Sequence, residues 1–140
     1  MSLITQHERF ESEVRKHLNT LSSSDLKRLY KLLIAESIFL DKFDCQPAYR
    51  GENSHLDFRF ILKSDISPNL NYFAVKICED RMEFYFRKPA MQLLHIEGLR
   101  NSFPKLKLIQ SDTINEAMIL IDNESTLSKV IDLVKNLQLN

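Results

Sequence analysis

Tryptophan is absent from the chain, and glycine occurs twice in 140 residues. Gly51 and Gly98, far apart in the chain, can build neither the loop of backbone N–H groups that cradles a phosphate nor the Gly-x-Ser-x-Gly turn that presents a nucleophilic serine. Cysteine is equally scarce. Cys45 and Cys78 stand 33 positions apart, a spacing that matches no metal or disulfide framework, so they read as reduced thiols of a cytoplasmic protein. No apolar run approaches the ~18 residues needed to cross a bilayer, and the start, MSLITQHERFESE, turns charged too early for a secretory signal. Net charge is missing too. With 19 basic and 19 acidic residues, the chain has no global field to draw it to nucleic acid or to a membrane surface.

What is present is a chain 44% hydrophobic, long enough to bury a core as one domain over residues 1–140. Its prolines divide it. Pro47, with Gly51, follows the N-terminal segment, and Pro68, Pro89 and Pro104 each fall between apolar runs. Residues 1–43 carry a helical period, with Leu3, His7, Phe10, Val14, His17 and Leu21 on one face. The triplet Ser22, Ser23, Ser24 offers caps for a second helix running to Phe43. The middle of that helix is apolar nearly all round, a pattern that needs cover from the sheet on one side and from either the first helix or a second subunit on the other, and the expected interface is Leu32, Leu33, Phe39 and Leu40 of a homodimer.

Past an irregular stretch, DCQPAYRGENSH, the period changes to two. LDFRFILK alternates, and residues 72–88 read as two strands around CEDR. Setting Ile77 opposite Met82 also places Val75 against Phe84 and Phe73 against Phe86, so a single register satisfies the whole core side. The same register sets Lys76 against Glu83, Ala74 against Tyr85 and Tyr72 against Arg87 on the outer side. AMQLLHIEGLRNSF follows as a third helix, KLKLIQ and EAMILID as two strands, and NESTLSKVIDLVKNL as a last amphipathic helix capped by Asn123. Because residues 117–121 are apolar on both faces, the strand carrying them belongs inside the sheet or under cover. The expected architecture is α+β in the order αα-βββ-α-ββ-α: a helical hairpin over 1–43, then a mainly antiparallel five-stranded sheet with two helices over 55–140.

The candidate chemistries thin out once this plan is drawn. His7 and His17 lie ten residues, or about 15 Å, apart along one helix, so they cannot share an ion. His55 with Asp57 is the best remaining ligand pair, but it lacks further ligands, and neither a metal site nor a cofactor is expected. Neither cysteine has a histidine placed beside it by sequence. Of the carboxylates Asp57, Asp65, Glu79, Asp80 and Glu83, two sit at a turn and Glu83 faces Lys76, so no catalytic cluster is expected.

Two binding roles are left. Residues 56–110 hold nine basic against six acidic side chains, and Arg59, Tyr72, Lys76, Tyr85 and Arg87 form the surface that single-stranded nucleic acid would use. The excess is small and its cations have acidic neighbours. The first expectation is therefore a non-enzymatic protein-interaction or regulatory binding module, homodimeric through its N-terminal hairpin, with the nucleic-acid reading as the alternative.

Overall fold

The computed structural model describes residues 5–48, 56–63 and 70–139. Leu3, Gly51, His55, Asp65 and Pro68 lie outside them. Two helices come first, α1 (Gln6–Thr20) and α2 (Ser24–Ser37). Thr5 caps α1 by accepting from the Glu8 N–H, and Ser23, the middle of the serine triplet, caps α2 by accepting from the Leu26 N–H, each at 3.1 Å. Four strands follow, β1 (Phe43–Pro47), β2 (Leu56–Leu62), β3 (Asn71–Ile77) and β4 (Met82–Phe86). Two short helices, α3 (Lys88–Met91) and α4 (Ile96–Ser102), lead to β5 (Lys107–Gln110), β6 (Asn115–Leu120) and α5 (Glu124–Lys135). The class is α+β.

The strands form one antiparallel sheet in the order β1-β2-β3-β4-β6-β5. Its core pairs are those expected, with Ile77 against Met82, Val75 against Phe84 and Phe73 against Phe86. β6 lies inside the sheet, between β4 and β5. Helices cover one face of the sheet: Phe10 and Tyr30 meet Phe58 edge-on, Phe103 meets Phe86, and Leu127, Val130, Ile131 and Val134 of α5 join the same buried cluster. The other face carries Asp57, Arg59, Lys76, Tyr85 and Arg87, all half-buried.

Three elements differ from expectation. The sheet has six strands among the described residues, because Phe43–Pro47 pairs with β2 from Phe43 against Leu62 to Pro47 against Phe58. Its buried positions alternate, and Pro47 closes an edge strand, where a missing N–H leaves no neighbour unpaired. For the same reason α2 ends at Ser37 rather than Phe43, whose side chain turns into the core.

The expected third helix is broken. Phe86 precedes α3 and Phe103 ends α4, yet their rings lie 5.9 Å apart. A straight helix between them would hold them more than ~20 Å apart at about 1.5 Å per residue, so the chain must fold back near Leu93–His95 to bring both to one core. Gly98, in the exposed middle of α4, has open space where a Cβ would stand. Gly98→Ala is expected to stabilise the protein by about 0.5–1 kcal/mol by restricting the unfolded backbone, read as a higher urea midpoint at unchanged slope.

The third difference is a bulge. Phe60 pairs with Phe73 but Ile61 with Asn71, which leaves Tyr72 as an extra residue. Its ring therefore packs on Phe43 and Phe73, at 5.9 and 6.5 Å.

Candidate functional site

The uncovered sheet face is the first surface to weigh. Lys76 sits between two carboxylates, with Asp57 opposite it on β2 and Glu83 opposite it on β4. Glu83 is buried, and burial alone would raise its pKa; hydrogen bonds from Arg81 Nε and Tyr85 Oη, each 2.9 Å, outweigh that and hold the carboxyl below its ordinary value. Burial and the bond to Glu83 push the Tyr85 hydroxyl up to about 12. Arg87 Nε donates to Glu116 at 2.7 Å, and Arg59 faces Asp57 at 3.6 Å. A shallow hollow of about 230 Å³ lies over the small Ala74, lined by Lys76 and Arg87 but also by Asp57 and Glu116.

Of the five residues assigned to the nucleic-acid reading, the structure brings Arg59, Lys76, Tyr85 and Arg87 onto this face. Each cation has a carboxylate beside it, and the Tyr85 hydroxyl is tied to another. Tyr72 stays opposite Arg87, whose backbone N–H donates to its carbonyl at 2.9 Å, but beside the bulge its ring packs on Phe43 rather than beside Tyr85.

The second surface is the N-terminal hairpin. Leu33 and Leu40, expected at an interface, are buried in the core of a single chain. Leu32 is half-buried beside Leu127 and Ile131 of α5, so α5 supplies cover on this side of α2. Phe39 differs from all three. It is 80% exposed, Ile38 beside it is 59% exposed, and both stand where α2 ends. Phe39 forms one wall of a hollow of about 230 Å³ bordered also by Leu40, Phe43, Val134 and the charged Asp41 and Lys135. Neither Asp41 nor Lys135 has an ion-pair partner among the described residues, whereas Lys42 Nζ donates to the Leu137 carbonyl at 3.0 Å. Ile38 was hidden from sequence reading because it continues the apolar pattern of α2 and only the helix end exposes it.

Buried polar groups complete the inventory. His17 of α1 meets Tyr30 of α2 through Nδ1 and the phenol oxygen, both side chains fully buried, and Nε2 of His17 has no hydrogen-bond partner among the described residues. Burial drives the His17 pKa down to about 4, against the opposing pull of Glu13 and with help from Lys16, and it raises that of Tyr30. The Cys45 thiol is pushed up to about 12 by burial, with the Asp44 charge adding to the effect, so it is a packing residue rather than a nucleophile. Among the described residues no three His, Cys, Asp or Glu side chains gather to hold a metal ion, and no helix is long and apolar enough to cross a membrane. No protein-family model, curated protein or solved structure matches this chain.

Proposed function

We propose that this protein acts by binding another protein, in the first place a second copy of itself, through the patch where α2 ends. The exposure of Phe39 carries the reading. A phenylalanine ring left almost wholly in water, next to an exposed isoleucine, keeps apolar surface that a free monomer would gain by covering. The patch is also self-complementary in kind: an exposed ring stands at the edge of a hollow, and Asp41 and Lys135, neither ion-paired among the described residues, border the same hollow. Such a surface suits a two-fold contact, in which each ring enters the partner's hollow and the charges exchange partners.

Burying one Phe or Ile contributes about 1.5–3 kcal/mol. Two of each across a two-fold must offset an association cost of roughly 4–15 kcal/mol, so the expected dimer is weak, with a Kd of about micromolar at the tightest. The two free thiols fit the reducing cytoplasm, where we place this activity.

Sedimentation of variants tests the patch. Phe39→Asp is expected to weaken self-association at least tenfold while leaving the unfolding midpoint close to that of the parent, because the side chain packs little in the monomer. Asp41→Lys and Lys135→Asp should each weaken it alone and associate with one another when mixed. Unchanged association in Phe39→Asp would remove this surface from the account.

A further inference from the structure

We infer that the cleft beyond the end of β5 binds a small amphipathic anion, a medium-length aliphatic carboxylate. β5 pairs with β6 only as far as Lys107 against Met118, so Ile119 and Leu120 run on past its end. Leu120 is 44% exposed there although it belongs to an interior strand. The space beside this bare stretch is a cleft of about 520 Å³ with Phe103, Met118, Ile119 and Leu120 among its walls. That volume falls within the range of small-molecule sites, which are mostly apolar with a few polar groups to orient the ligand.

The charge of the rim selects the ligand. Lys105, Lys107 and Lys129 border the cleft, all exposed, and none has a carboxylate partner among the described residues. Arg81, the fourth cation, is held by Asp80 at 2.8 Å and by Glu83 at 2.9 Å. Asp122, the other acid at the rim, accepts from the Asn123 side chain at 2.9 Å. Elsewhere on the sheet, the cations are matched by acids; here three ammonium groups with no ion-pair partner among the described residues border an apolar floor, against the one acid, Asp122, that Arg81 does not hold. A hydrocarbon chain on the Met118 and Leu120 side chains with its carboxylate toward the lysines answers both features at once.

Calorimetric titration with octanoate tests the assignment, alongside octanol, hexanoate and decanoate. Binding is expected to strengthen about fourfold for each added methylene and to be at least tenfold weaker for octanol than for octanoate. Amide shifts in an NMR titration should center on Lys107, Met118 and Leu120. The double variant Lys105→Glu, Lys107→Glu, altered only at exposed side chains, should lose octanoate at least tenfold while its thermal unfolding stays near that of the parent. No heat with any chain length, equal affinity for octanol and octanoate, or undiminished binding by the double variant would each overturn the proposal.

Discussion

Phe73→Ala is expected to remove about 3–5 kcal/mol of unfolding free energy, a large share of the roughly 5–15 kcal/mol that holds a domain folded. The reason is its position. Phe73 lies in the middle of β3, fully buried, and its ring touches those of Phe43, Phe60, Tyr72, Phe84 and Phe86, with centroids 5.6–6.5 Å away. Truncation leaves a cavity walled by rings of four strands, and rings fixed by the backbone pairing of one sheet cannot readily collapse into it. Phe73→Leu, which keeps most of the volume, should cost far less. Urea denaturation followed by circular dichroism measures both. Equal and small losses in the two variants would mean that the aromatic layer is not the centre of the core.

Acid is expected to weaken the protein well before its carboxylates titrate. The folded state keeps His17 neutral down to about pH 4, while the same side chain in the unfolded chain takes up a proton near its ordinary 6.5. Between those values the unfolded state binds the extra proton, so stability is complete above about pH 6.5 and falls as pH drops toward 4. At about 1.4 kcal/mol per pKa unit the loss amounts to about 3 kcal/mol. The cause is geometric: Nδ1 is already engaged by Tyr30, Nε2 has no hydrogen-bond partner among the described residues, and Lys16 opposes a second positive charge while Glu13 favours it only in part. His17→Phe should flatten the slope between pH 6.5 and 5, a range above the titration of Glu83, whose lowered pKa confines its own contribution to more acid conditions. A variant that keeps the parent's slope would place the acid sensitivity elsewhere.

Much of the fold was legible because hydrophobic period leaves little freedom in a hairpin. Once Ile77 faces Met82, the positions of Phe73, Val75, Phe84 and Phe86 follow, and the structure has them so. Long-range events were less legible. Nothing in FDCQP alone says that it pairs with β2, since five residues containing a proline carry a weak strand signal. The bulge at Tyr72 depends on how β2 and β3 meet past Phe60, and it packs the ring of one of five candidate nucleic-acid residues on Phe43. The same limit applied to the interface set. Leu32, Leu33, Phe39 and Leu40 look alike in sequence, but only the packing of α5 and the end of α2 decide that Leu33 and Leu40 are core and Phe39 is not.

The most direct test of the proposed role is the solution mass of the unaltered protein by light scattering, measured from ~1 to ~500 µM with and without a pool of single-stranded RNA and DNA at low salt. The account predicts a mass that rises from 16.5 kDa toward twice that value with concentration, whether or not nucleic acid is present. A mass fixed at 16.5 kDa across the range, or one that grows only with the pool, would contradict it and return Arg59, Lys76, Tyr85 and Arg87 to the centre of the question.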